Sequence, residues 1–495
     1  MPSNAGITAP NWPAAGPSSQ MPSTATSGTA SSPPGRKARS SSARNSAVPA
    51  TTTVAGYLLT RLAEAGVISV FGVPGDYNLG LLDAVAARSS MEWVGMATEQ
   101  GAGYAADSYA RLRGLGALVT TFGAGELSAT NAIAGACAES VPVVHIVGTP
   151  ALSARRDGAI LHHNLPGTDY GHFARVAAEV TAAQADLRAD VAPGDEIDRV
   201  LRVALCTSRP VYLAIPADVA GAPVPAPSGP LAAAPRVGAW PIPAHTNLAG
   251  LAEMPSRAAP HGPADPADPL TQRQLWAGLQ RFLLPDDLVI ADQGTAFYGA
   301  TGLALPTGAR LLGQPRWASA GWALPAALGA SLAAPDRRVI LIIGDGAFQR
   351  TAPELGIMLA QGVAPVVIVL NNGGYTIERA MHNPSAAYHH IPSWNWAALP
   401  ATVAKQSATV TKRAVTVADF NAALRSASGD TGLPVLIEAV TGWDDTPPLL
   451  RDWPGSPAPQ TATPPANRRS TQAARPVRGA AQTGKKGIPQ CASSR

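Results

Sequence analysis

The sequence predicts an α/β protein built from two domains, each a parallel sheet flanked by helices. Three observations carry this. Strand-sized apolar runs alternate with helix-period stretches in two blocks, 51–218 and 270–452, the pattern of parallel sheets covered by helices. Between the blocks, at 219–269, twelve prolines fall between Gly221 and Leu270 with little periodicity, which reads as an extended, semi-rigid linker. Residues 1–50 and 453–495 are low-complexity, basic and free of acidic residues, and read as disordered tails.

Taken in order, 54–65 has the apolar spacing of an amphipathic helix, and 70–73 is a short apolar strand stopped by Pro74 and Gly75. Strands follow at 93–96, 118–122, 143–147 and 211–215. His145 lies inside one of these apolar runs and reads as a core histidine. The second block runs helix 272–282, strand 288–291, helix 321–332, strand 338–343, helix 352–361, strand 365–370, helix 417–426 and strand 434–440. No linear repeat relates the two blocks.

Charge distribution narrows the function. The 495 residues carry 37 Lys and Arg against 33 Asp and Glu, a formal net charge of +4. A basic balance invites a nucleic-acid or membrane reading. Its distribution argues against one: all 33 acids lie in 51–452 with 26 bases, and the other eleven bases sit in the two tails. No apolar run is long enough to span a bilayer. Cys137, Cys206 and Cys491 have no paired or metal-ligand spacing, and the N-terminus lacks the apolar core of a secretory signal. A cytoplasmic protein with neither nucleic-acid nor membrane partners is expected.

The most informative segment is the apolar run ending in Gly344-Asp345-Gly346-Ala347. With 24 residues between Gly346 and Asn371, and a helix and a strand among them, comes Asn371-Asn372-Gly373-Gly374-Tyr375. Parallel sheets bind ligands at the carboxyl ends of their strands. Glycines there let the backbone approach a diphosphate, and a following helix points its N-terminus at the anion. Asp345 supplies a hard carboxylate oxygen for Mg²⁺, Asn372 a neutral amide oxygen, and a nearby backbone carbonyl a third oxygen.

This arrangement resembles the thiamin-diphosphate motif. Further motifs appear in order: Phe71-Gly-Val-Pro-Gly75-Asp76-Tyr77, Glu99-Gln-Gly-Ala-Gly, Gly125-Glu126, His162-His163, Asp292-Gln293-Gly-Thr and Gly374-Tyr375-Thr-Ile377-Glu378. Together they resemble the pyruvate/indolepyruvate group of thiamin-diphosphate-dependent 2-oxo-acid decarboxylases. The resemblance implies two thiamin-diphosphate-binding domains and a non-oxidative decarboxylation of pyruvate, a branched-chain acid or an aryl-pyruvate to an aldehyde. Glu99 would be the carboxylate that activates the cofactor, buried against its pyrimidine. Asp76, His162, His163 and Glu378 would hold and move protons. Gln293, Gly344, Asp345, Gly346, Ala347, Asn372, Gly374 and Tyr375 would hold the diphosphate, with Asp345, Asn372 and Gly374 on Mg²⁺. Phe297 and Ile377 would line the substrate pocket, and the bulk of Phe297 points to a smaller acid. The resemblance also implies a homodimer or homotetramer with active sites between subunits.

The chain departs from that family in places. The linker replaces a middle α/β domain. Ala320 stands where a large aliphatic side chain wedges the cofactor. Pro447, Pro448, Pro454, Pro457 and Pro459 oppose a C-terminal closing helix. Gln100-Gly101 stands where close relatives have Leu-Asn, and carboligases of the acetolactate synthase type carry Gln-Gly there. Two alternatives follow: such a carboligase, or a cofactor-binding paralogue with impaired turnover.

Overall fold

The computed structural model describes residues 50–188, 190–231, 265–405, 407–428, 432–447 and 450. The expected tails apart from Ala50, the middle of the linker, and the prolines at 448, 454, 457 and 459 lie outside the described residues.

The strands are β1 (Thr51–Thr53), β2 (Ser69–Gly72), β3 (Glu92–Gly95), β4 (Gly116–Thr121), β5 (Val143–Thr149), β6 (Gln184–Asp186), β7 (Val211–Pro216), β8 (Pro223–Pro225), β9 (Leu288–Ala291), β10 (Arg310–Leu312), β11 (Val339–Gly344), β12 (Val366–Asn371), β13 (Val410–Ala414) and β14 (Val435–Val440). The helices used below are α1 (Val54–Glu64), α2 (Leu79–Ala86), α3 (Glu99–Arg113), α4 (Ala124–Ala138), α5 (Pro193–Thr207), α6 (Gln272–Phe282), α7 (Thr295–Ala300), α8 (Ala323–Ala333), α9 (Asp345–Thr351), α10 (Pro353–Ala360), α11 (Thr376–Met381) and α12 (Val417–Ser428).

Two six-stranded sheets form, ordered β3-β2-β4-β5-β7-β6 and β10-β9-β11-β12-β14-β13, and every pairing in them is parallel. The order is the same in both, a structural repeat that no linear sequence match reveals. β4, β5 and β7 are buried along their whole length, as expected for strands covered on both faces. The two-strand ladder of β1 and β8 is antiparallel, so Pro223–Pro225 at the start of the linker is tied to Thr51–Thr53.

Local signals explain the element boundaries. Thr53 caps α1 by accepting from the Gly56 N–H. Thr271 and Gln274 form a capping box on α6. Gly114, at φ 92°, ends α3 in the left-handed region, and Pro353 opens α10. The helix expected to begin at Gly321 begins at Ala323. The Asp292 carboxylate accepts from the Gly321 and Ala323 N–H groups and holds that entry.

The hydrophobic core has three main layers. α1, α2 and α5 cover the outer face of the first sheet, and α6, α7 and α12 cover that of the second. The largest cluster lies between the sheets and joins them, with Tyr104, Ala105 and Tyr109 of α3 packed among Trp322 and Leu324, Ala327 and Leu328 of α8. Both domains therefore share one core. His145 is buried in β5 with Nε2 2.9 Å from the Thr120 hydroxyl, and burial pushes its imidazole down to about 3, so it stays neutral. No helix among the described residues is long and apolar enough to cross a membrane.

Candidate active site

Each sheet reverses its direction of growth between its first and third strands, β2/β4 and β9/β11. Outgoing loops diverge there and leave a crevice at the carboxyl ends. Asp76, His162 and His163 meet at the first crevice and Asp345 lies at the second, while Phe297 is packed in the outer core.

At the second crevice, Asp345 is buried. Its Oδ1 accepts from Gly346 N–H at 2.8 Å, and its Oδ2 accepts from Gly373 N–H at 2.8 Å and Gly374 N–H at 3.1 Å. One carboxylate thus joins the loops after β11 and β12. Burial raises it to about 6, against the lowering pull of those backbone donors. Asn372 is buried, and its Oδ1 has no hydrogen-bond partner among the described residues; the same holds for Gln293 Oε1. Nothing lies within 4 Å of a Cβ placed on Gly344, so space opens at the diphosphate motif. Gly346 is packed by the Tyr375 ring, 2.7 Å from where its Cβ would stand, and Ala347 is buried beside it. A buried, unpartnered amide oxygen on the loop that the Asp345 carboxylate holds, with open space at Gly344, fits a magnesium diphosphate.

Arg379 carries no motif signal in the sequence. It is buried beneath this loop and donates to the carbonyls of Asn372, Gly373, His389 and Trp443. Its neighbour Glu378 is exposed and Ile377 half-buried, both on α11. Among the described residues no hydrogen bond or ion pair ties Glu378 to Asp76 or to either histidine. Phe297 is buried in the outer core, its ring against Gly313.

At the first crevice, Asp76 and His162 meet, Oδ2 to Nε2 at 2.7 Å. Tyr77 stacks on His162, with centroids 5.0 Å apart and planes 17° apart. The ring centroids of His162 and His163 are 4.5 Å apart. His163 has φ 64°, and its carbonyl lies 2.0 Å from where a Gly123 Cβ would be. Only glycine fits there, and Gly123 is itself at φ 66°.

Glu126 fixes that turn. It is buried, accepting from Gly123 N–H and Tyr212 O–H, both at 2.8 Å, and burial raises it to about 7. The Gly125-Glu126 motif by itself does not disclose this role, which depends on Tyr212. A carboxyl raised from 4.5 adds stability below about pH 4.5 that is lost as pH rises through about 7. Glu126→Gln, which is neutral throughout, is expected to remove that slope. Relative to the variant, the wild type should lose roughly 2.5 kcal/mol between pH 5 and pH 8, read from urea unfolding at both values.

Glu99 is the first residue of α3, half-buried rather than fully enclosed. Its Oε1 lies 3.3 Å from where a Cβ on Gly125 would stand, so it faces the β4–α4 turn. Glu354, also unmarked by the sequence reading, holds this helix start across the domain boundary. Its buried carboxylate accepts from Ala97 N–H at 3.2 Å, Thr98 N–H at 3.1 Å and the Thr98 hydroxyl at 2.9 Å. It fills the space a Gly101 side chain would need, since Oε1 is 2.0 Å from that Cβ position. Gln100 donates to the Tyr104 hydroxyl, which also bonds Ser319, next to Ala320. The Ala320 carbonyl accepts from Arg350. α3, carrying Glu99, is thus clamped to the domain that carries Asp345.

Comparisons with known proteins agree with this geometry. The family described as "Thiamine pyrophosphate enzyme, N-terminal TPP binding domain" matches residues 52–170, and "Thiamine pyrophosphate enzyme, C-terminal TPP binding domain" matches 295–439. An α-keto-acid decarboxylase of Mycobacterium ulcerans (strain Agy99) is 37% identical over 547 aligned positions, covering 82% of this chain and 96% of the relative. The aligned positions outnumber the 495 residues of this chain, so they include gaps opposite it. One from Mycobacterium tuberculosis (strain ATCC 25618 / H37Rv) is 37% identical, covering 82% of this chain and 98% of the relative. Among solved structures, the thiamine diphosphate-dependent 4-hydroxybenzoylformate decarboxylase of Rhodococcus jostii RHA1 shares the fold at TM-score 0.62 and 18% identity, covering 80% of this chain and 100% of that one. The chain belongs to the thiamin-diphosphate-dependent 2-oxo-acid (α-keto-acid) decarboxylases.

Proposed function

We propose that the substrate is a small or branched-chain 2-oxo acid, pyruvate included, released as an aldehyde and CO₂, with aryl-pyruvates such as indolepyruvate at the upper limit of size. The observation that carries the cofactor assignment is the unpartnered Asn372 oxygen, one residue before the Gly373 N–H that the Asp345 carboxylate accepts. Asp345, Asn372 and the Gly374 carbonyl would hold Mg²⁺. Gln293, Gly344, Gly346, Ala347 and Tyr375 would surround the diphosphate. Thiamin diphosphate supplies the electron sink that lets the bond to CO₂ break. Glu99 holds the proton exchanged with the pyrimidine. Asp76, His162, His163 and Glu378 hold and deliver the proton that the product needs, a reading supported by the 2.7 Å Asp76–His162 contact. Phe297 and Ile377 would bound the substrate, which for Phe297 requires its ring to leave the outer-core packing against Gly313.

For assembly we propose a homodimer or homotetramer with shared active sites. The support for this is the family the chain belongs to, since within one chain the faces of α3 and α8 are buried against each other. A cytoplasmic location, with neither nucleic-acid nor membrane partners, completes the proposal.

The test is a panel of 2-oxo acids incubated with the full chain, Mg²⁺ and thiamin diphosphate, with CO₂ and carbonyl products identified. Aldehyde from pyruvate or branched-chain acids is expected. Acetolactate would replace this reading with a carboligase. Cofactor binding without product would assign an impaired paralogue, for which Ala320 is the structural motive.

A further inference from the structure

Asp76, His162 and His163 bring one carboxylate and two imidazoles together, with one donor atom from each lying within 4.8 Å of the others. Consecutive side chains normally diverge. Here the left-handed backbone at His163, φ 64°, accompanies two rings that meet with centroids 4.5 Å apart. The turn is braced from behind, since the His163 carbonyl rests on Gly123 and Glu126 holds Gly123. Tyr77 occupies the Nδ1 side of His162, its hydroxyl 3.3 Å away, while Nε2 faces Asp76. All three donor residues are exposed, so an ion has a path in and water can complete its shell.

The geometry points to a second cation site here, for a divalent transition ion of the Zn²⁺ class. Two imidazoles and a carboxylate with open positions match the three-ligand arrangement of accessible zinc sites. Tetrahedral bonds of about 2.0–2.2 Å place ligand atoms roughly 3.3 Å apart, and exposed side chains reach that from the present spread by rotation. Ligand chemistry separates the two cations. Mg²⁺ demands oxygen ligands and goes to Asp345 and Asn372. Imidazole favours Zn²⁺ over Mg²⁺. Ligation needs neutral imidazoles and occupies their lone pairs, so a bound ion stops these residues from carrying protons. Zn²⁺ at this cluster is therefore an inhibitor. The binding stands apart from the decarboxylase reading; only the inhibition rests on it.

The test uses the full chain stripped of metals and then held in millimolar Mg²⁺, with Zn²⁺ titrated against a chromophoric zinc chelator. One tightly bound Zn²⁺ per chain is expected. Losing a direct ligand should weaken binding by at least the ~10–100-fold that outer-sphere partners cost, so His162→Ala and Asp76→Asn should both show that loss. His172→Ala and Asp345→Asn should bind as the wild type does. Unfolding midpoints establish that each variant is folded, and Asp76→Asn, which keeps the side-chain shape, covers the case in which His162→Ala fails to fold. Equal binding by wild type and Asp76→Asn, displacement by Mg²⁺, or loss in Asp345→Asn would overturn the site. Zn²⁺ binding in a protein that decarboxylates nothing would leave the site standing and remove the decarboxylase reading.

Discussion

Glu99→Gln is expected to lower turnover by ~10²–10⁴-fold, the usual contribution of a positioned proton-transfer group, while leaving the fold intact. Among the described residues its carboxylate takes no hydrogen bond. The start of α3 is held instead by the Thr98 cap and by Glu354. Unfolding should therefore shift by no more than about 0.5 kcal/mol. Full activity in Glu99→Gln would remove Glu99 from proton transfer. The same variant tests shared sites. Co-expressed with Asp345→Asn, it should recover part of the lost activity, because one site of a mixed dimer then combines Glu99 with Asp345. A self-contained chain would recover none, since each chain would spoil its own site.

Gly329→Ala should destabilise the junction between the two domains. A β-carbon on Gly329 would stand 2.1 Å from the Ala105 carbonyl oxygen and 2.8 Å from its carbon. These are backbone atoms of α3, so no side-chain rotation relieves the contact. Alanine in place of a helical glycine gains up to about 1 kcal/mol in propensity. Overpacking costs roughly 1–3 kcal/mol, more where backbone must move. The clash wins, and a net loss of roughly 2 kcal/mol is expected in urea unfolding. Cofactor affinity should fall too, because separating α3 from α8 also draws Thr98 away from Glu354. Unchanged stability would show that α3 and α8 do not pack this closely.

Much of the fold was legible because its cues are local. The strands at Val339–Gly344 and Val366–Asn371 are continuous apolar runs, and the α6 helix has its cap and its apolar stripe in sequence. The short strands β6, β8 and β10 were not legible. Each has three residues, too few to show a period. β8 is made of Pro-Val-Pro, and its pairing with β1 spans most of the first domain. Among site residues, Asp345 and Asn372 stood out by motif. Arg379 and Glu354 did not, and Glu126 stood in a motif without a role, because these roles depend on partners such as Trp443, Thr98 and Tyr212, which only folding brings close.

By itself the sequence determined the chemistry available: Gly-Asp-Gly at the end of an apolar strand, an Asn-Asn turn after the next, a Glu opening a helix and adjacent histidines. These are properties of residue type and short-range spacing. Tertiary structure alone decided how those groups face one another. The repeated strand order set two crevices at the carboxyl ends of the sheets. The left-handed turn at His163 brought two rings beside Asp76. The close approach of Gly329 to Ala105 and the Glu354 clamp placed the helix of Glu99 on the domain of Asp345. Such contacts depend on backbone approach between segments more than 200 residues apart, and no local pattern encodes that distance.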